Sequence, residues 1–232
     1  MSPHLSLYLK ELKGIRLVSA VLIVATVAIV IVVVSDASDG GVHGSMLLVF
    51  LPYLSPPVLA GLLIHSITQE WSGNTQHQWL ALPVPRATLL LTKLAAVLTL
   101  GAAIFVLNTF AVQMVHEQVL DTIQEFQSPS SVPWAIDTND LWAVATSIFG
   151  STTLLLLGLA LAAASLKTIV TRFRGLVTVS VFLGGMWMTG RLAPLAHGRD
   201  LTGALDGYLY VALMGAAFGA VGIYLFDRYV DA

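Results

Sequence analysis

Six stretches of this chain contain no charged residue: 17–35, 40–69, 94–116, 141–166, 175–190 and 207–226, with lengths of 19, 30, 23, 26, 16 and 20 residues. An α-helix rises about 1.5 Å per residue, so about 20 residues cross the roughly 30 Å hydrocarbon core of a bilayer. Five stretches are long enough as they stand. The fifth in order, 175–190, falls short, but Arg191 can snorkel at its far end while Leu192 and Ala193 lengthen it. Charged residues make up 10% of the chain against 56% apolar, too little charge to cover a water-facing surface. These observations predict an all-α integral membrane protein, one domain over 1–232, with spans near 17–35, 46–67, 88–113, 141–165, 175–192 and 207–226. A soluble enzyme is excluded on this reading.

The β-branched run 27–34 would favour a strand in water. In lipid the backbone must satisfy its own hydrogen bonds, which an isolated helix does and an open strand does not. A membrane barrel calls for alternating segments of about ten residues, and these stretches are long and uniformly apolar. Bases precede the first stretch as in a signal peptide, but the stretch is long and no small-x-small site precedes Asp36, so it is read as an anchor. Cysteine is absent, which removes disulfides and thiolate metal sites from consideration.

Charge sorts the loops. Lys10, Lys13, Arg16, Arg86, Lys93, Lys167, Arg172, Arg174 and Arg228, nine of the 11 bases, fall in alternate loops, and only Arg191 and Arg199 fall in the others. The positive-inside rule then puts both termini in the cytoplasm, in a multi-pass protein of the plasma membrane. Ahead of the first span, Leu5, Tyr8, Leu9 and Leu12 recur at helical spacing with Lys10 and Lys13 off that stripe. The pattern predicts a short interfacial helix turning into the membrane near Gly14, or else a cytoplasmic extension of the first span. Pro52, Pro56 and Pro57 are expected to break or bend the outer half of the second span.

Catalytic signatures are missing. The six histidines are scattered, and no phosphate-binding G-x-x-x-x-G-K-[ST] or nucleophile elbow G-x-S-x-G occurs. His65, inside the second span, reads as a packed or interfacial residue. In the loop 69–93, Thr75-Gln76-His77-Gln78 fits a capping box that opens a helix, and Pro83 stops it after about two turns. Trp79, Leu80 and Leu82 are then apolar contacts on a cytoplasmic element, against either a partner groove or lipid headgroups. Pro85 and the residues after it restart a helix that becomes the third span.

At these residues the chain resembles the permease subunits of type-2 ATP-binding-cassette transporters. That family carries between its second and third spans a Glu, then Gly-Thr, then a Leu-rich segment ending in Leu-Pro-Val-Ser-Arg, with a Lys several residues on. Here stand Glu70, Asn74-Thr75, Leu80-Ala81-Leu82-Pro83-Val84-Pro85-Arg86, Leu89-Leu90-Leu91 and Lys93. Asn74 takes the usual Gly place, His77 sits where an acid is common, and Pro85 replaces the usual Ser. The resemblance implies that this loop is a coupling helix docking on a separate cytoplasmic ATPase, with Glu70, Asn74, Thr75, Gln78, Trp79, Leu80, Leu82 and Arg86 at the contact. It also implies a second permease copy or a homologous one, with ATP and magnesium held by the partner ATPase and no cofactor or catalysis in this chain. The expected partners are therefore the ATPase, another permease and the lipid bilayer, with no nucleic acid.

Glu117, Asp121 and Glu125 form an acidic row that could gather a cationic substrate such as a peptide antibiotic, although a solvated helix face is the preferred reading. Asn108, inside the third span, either lines a polar path or bonds to a neighbouring helix. Gly215-x-x-x-Gly219 in the sixth span is expected to seat a helix of the same subunit closely. The expected function is ATP-driven export of a peptide antibiotic, a lipid-like molecule or another hydrophobic compound. The alternatives are a stand-alone channel or secondary transporter, in which inverted repeats are expected, and an intramembrane enzyme, in which paired ionisable groups are expected.

Overall fold

The computed structural model describes residues 3–38, 55–69, 85–114, 138–170, 173–196 and 204–229. Among these the secondary structure is entirely helical. We label the helices α1 (Pro3–Ser38), α2 (55–69), α3 (Arg86–Met114), α4 (Thr138–Ile169), α5 (Arg174–Ala196) and α6 (Ala204–Tyr229). Four of them, α1, α3, α4 and α6, are long and apolar enough to cross a membrane, and the chain is accordingly built as a multi-pass membrane protein. The proposed outer part of the second span, with Pro52, lies outside the described residues. Pro56 and Pro57 lie within the described α2.

The chain divides into two compact units: Met1–Gly14, Pro56–Leu98 and Gly150–Ala232 form one, Ile15–Ser55 and Thr99–Phe149 the other. The boundaries at 14/15, 98/99 and 149/150 fall inside helices α1, α3 and α4.

Helix α1 is unbroken through Gly14. Glycine costs a helix only about 1 kcal/mol relative to alanine, and good helix formers on both sides carry the hydrogen-bond ladder across it. Of the two arrangements weighed for the N-terminus, the described helix has the extension of the first span. At about 1.5 Å per residue its 36 residues exceed the thickness of a bilayer core by a wide margin. The buried positions ahead of the span are Leu7, Glu11 and Ile15. Leu5 and Leu9 of the expected stripe are exposed, while Tyr8 and Leu12 are half-buried. The inward face is thus rotated from the one that the Leu pattern suggested, because a salt bridge decides it.

In the first unit, α4 is the central element. Nine consecutive residues, 157–165, are buried, as expected of a helix that is apolar all round and enclosed by others. Against it lies α6, which turns Gly215, Gly219, Gly222 and Phe226 inward at helical spacing. A Cβ at Gly158 would overlap the Gly215 carbonyl oxygen, one at Gly215 would lie 2.5 Å from the Leu154 carbonyl, and one at Gly222 would lie 2.6 Å from the Ala162 nitrogen. The backbones approach so closely that only hydrogen fits, and Gly215-x-x-x-Gly219 seats a helix of the same chain as the sequence suggested. Helix α5 packs against α6, and the Tyr210 hydroxyl donates to the Thr189 carbonyl at 2.7 Å. Arg191 is exposed and its guanidinium lies 5.5 Å from the Trp187 ring centre, so the charge is drawn along the helix surface over an aromatic. Between α4 and α5 the chain turns at Phe173, whose φ of 57° places a non-glycine residue in the left-handed region.

In the second unit, the span part of α1 is almost wholly uncovered: Leu17, Val21, Val24, Ile31 and Val32 are all exposed. Apolar side chains in that number suit a lipid environment. Phe105 of α3 and Phe149 of α4 stack with ring centres 4.5 Å apart.

Candidate functional site

The buried stripe along α3 begins near the foot of the helix. Leu89, Lys93, Val97, Leu100, Ile104 and Asn108 follow one another at intervals of three or four residues, and all are buried. Two members of this stripe are polar, and they are the places where an apolar helix departs from its own pattern.

Lys93 is the first. It lies two turns beyond Arg86, which opens α3 directly after Pro85 and is half-buried. Proline fixes a helix-compatible φ, and the Thr88 amide bonds the Pro85 carbonyl at 2.9 Å to close the first turn. From there Lys93 donates to Glu11 Oε2 at 2.8 Å, with side-chain exposures of 3% and 9%. An ammonium so deeply buried requires an anion, and Glu11 is the one acid that precedes Asp36. One turn earlier on each helix, Leu7 and Leu89 form a buried apolar contact. The pairs Leu7 with Leu89 and Glu11 with Lys93 advance together along both helices, so the N-terminal part of α1 and the start of α3 run parallel.

Asn108 is the second. It is 2% exposed, and neither its amide nitrogen nor its oxygen has a hydrogen-bond partner among the described residues. An amide buried without partners costs about 1–3 kcal/mol. Among the described residues no neighbouring helix bonds to it, so the residue presents two donors and one acceptor inside the second unit. Thr153 and Ser165 of α4 also bury hydroxyls that have no partner among the described residues.

Of the other residues singled out, Glu70, Asn74, Thr75, Gln78, Trp79, Leu80 and Leu82 lie outside the described residues, as do Glu117, Asp121 and Glu125. His65 is exposed on α2. Among the described residues no group of three or more His, Asp or Glu is placed to hold a metal ion. Sequence reasoning placed Lys93 in the family-like motif but passed over Glu11. The available signal was that Lys93 is the only charge on this buried stripe, which demands an acid from elsewhere in the chain. No protein-family model, curated protein or solved structure matches this chain.

Proposed function

We propose that the chain is the membrane subunit of an ATP-driven exporter, a type-2 ATP-binding-cassette permease that couples to a separate cytoplasmic ATPase. The observation that carries this reading is the run from Leu80 to Arg86 leading without a gap into α3, with Lys93 two turns on. Force applied to residues 76–82 reaches α3 through Pro85 and Arg86. Because Lys93 is paired with Glu11, a displacement of the foot of α3 is passed to the N-terminal part of α1 as well. The described geometry supports the proposal in this respect: a loop meant to work as a lever needs a stiff connection at its base.

In this reading two permeases, identical or homologous, assemble with two ATPases, which hold ATP and magnesium and perform the hydrolysis. Closure of the ATPases pushes the helix 76–82 and rocks the attached spans between two arrangements, which is alternating access. The six-span layout, with both termini in the cytoplasm and cytoplasmic coupling residues Glu70, Asn74, Thr75, Gln78, Trp79, Leu80, Leu82 and Arg86, belongs to the proposal. Asn108, with its unused amide, is a polar residue of the translocation path, and the substrate is a peptide antibiotic, a lipid-like molecule or another hydrophobic compound.

Trp79 supplies the test. Buried aromatic anchors commonly contribute about 2 kcal/mol or more to an interface, which corresponds to at least a roughly 30-fold loss of affinity on truncation. Trp79→Ala is expected to insert and fold normally and to lose its ATPase during copurification. Retention of a fully active ATPase would remove the docking role and favour contact of this loop with lipid headgroups.

A further inference from the structure

A hydroxyl inside a helix finds an acceptor on its own backbone. Thr26 donates to the Leu22 carbonyl at 2.8 Å, Thr92 to the Leu89 carbonyl at 2.8 Å and Thr189 to the Gly185 carbonyl at 2.9 Å, each one turn back. The hydroxyls of Thr153 and Ser165, which have no partner among the described residues, are mended in the same way by rotation about one side-chain bond. Asn108 has no such remedy. Its amide carries two donors and an acceptor, and in mid-helix every backbone N–H is already given to the carbonyl four residues back, so no rotation on α3 satisfies both ends. Asn108 stands well inside α3 and in the charge-free stretch 94–116. One turn before it, Ile104 is 4% exposed and Phe105 stacks on Phe149. All four residues belong to the second unit. With both amide atoms covered and unpaired, Asn108 weighs against the arrangement described by a factor of roughly 5 to 150 in population.

We infer that Asn108 is a conformational bias built into α3: it destabilises the covered arrangement of the second unit and favours a second arrangement in which water reaches its amide. The inference deepens the transport reading and rests on it for the second arrangement, because a path with alternating access is closed at one time and wet at another. It does not require an ATPase. A leucine in this place would remove the penalty and leave the covered arrangement favoured by the same factor, so that the path stays shut. The amide thus holds the two arrangements close enough in free energy for a modest force to exchange them.

The chain has no cysteine, so one introduced thiol is read without background. The test uses the full chain in lipid nanodiscs and a charged maleimide, which reacts with a thiol where water allows the thiolate to form. Ile104→Cys reports opening of the second unit, and Leu157→Cys, at a position 1% exposed in the first unit, reports unfolding of the whole chain. Asn108→Leu has the branched outline of asparagine without its polar atoms. It is expected to slow labelling at Ile104→Cys at least about five-fold, and the smaller Asn108→Val to do so if leucine crowds the site. Asn108→Asp keeps a polar group there and should leave labelling as fast or faster. Labelling at Leu157→Cys should be the same with Asn108 and with Asn108→Leu. The bias is overturned if neither apolar variant slows labelling at Ile104→Cys, if Asn108→Asp slows it as much as they do, or if Leu157→Cys slows in parallel. These rates are read without an ATPase, so their outcome is separate from the copurification result for Trp79→Ala.

Discussion

An ammonium and a carboxylate taken out of water together lose hydration worth several kcal/mol each, and their mutual attraction recovers this only with good geometry. At 2.8 Å and with both side chains buried, Glu11 and Lys93 have that geometry. Replacing both with apolar or neutral groups should therefore cost little, whereas removing one leaves a buried charge uncompensated at about 3–5 kcal/mol. Lys93→Met is expected to lower the unfolding midpoint sharply, and Glu11→Gln/Lys93→Met to recover most of it, measured by thermal unfolding of the purified protein in detergent. Equal midpoints for the two variants would show that the pair carries no such coupling. The contact spans 82 positions in the chain, and that separation explains why it was not legible. Helical periodicity speaks only of neighbours three or four apart on one helix. It could show that Lys93 interrupts an apolar stripe, not which acid answers it. Asn108 illustrates the same limit: its place inside α3 was legible from the sequence, but its lack of a hydrogen-bond partner among the described residues is a property of the helices around it.

At the scale of helices, what holds the seam between α4 and α6 is the absence of side chains. Dispersion and backbone proximity drive helix association in lipid, since burial from water contributes nothing there. Gly158→Ala would place a methyl group on the Gly215 carbonyl, and the two backbones would have to separate along the whole seam formed with Gly219 and Gly222. A loss of about 1–3 kcal/mol is expected, as for overpacking in a tight core. Gly61→Ala is the contrasting substitution: nothing lies within 4 Å of the added carbon on α2, and alanine is the better helix former by about 1 kcal/mol, so stability should hold or rise. Comparison of the two midpoints in detergent checks this, and a neutral Gly158→Ala would contradict the close approach. The Gly215-x-x-x-Gly219 pattern marks one half of this seam in the sequence. Its other half, Leu154, Gly158 and Ala162, was hidden in a helix apolar on every side, where periodicity carries no signal. Proline was a better guide, since Pro85 marked the start of α3 to the residue. Glycine was a poorer one: Gly14 suggested a turn, and α1 passes through it.

For the molecule as a whole, two independent arguments bear on how the chain is threaded. The charge argument sorts nine bases into alternate loops and two into the others. The geometric one rests on Leu7 with Leu89 and Glu11 with Lys93, which make α1 and α3 parallel where they meet. In the proposed layout the first helix ends on the far side of the bilayer, and a third helix that starts beside its foot goes with one return crossing in between. Helix α2, with Leu59, Leu63 and Ile67 buried along one face, lies in that interval. On this proposed layout Arg86 and Lys10 share a side of the membrane, as the charge distribution also proposes. In the proposed six-span layout the loop around Ser130 is external, and three further crossings after it bring Ala232 to the side of Lys10. A reporter fused after Ala232 should accordingly be active only in its cytoplasmic form, and one inserted near Ser130 only in its external form. Moving charge supplies a sharper version of the same test. Because short-loop bases set orientation, replacing Lys167, Arg172 and Arg174 together with Gln should weaken the retention of the loop between α4 and α5 and give a mixed signal from the Ala232 reporter, with the Ser130 reporter unchanged. If the Ser130 and Ala232 reporters of the unaltered chain fall on one side, an odd number of crossings is missing or added between them, and the parallel pairing of α1 with α3 would then confine the error to the chain after Met114.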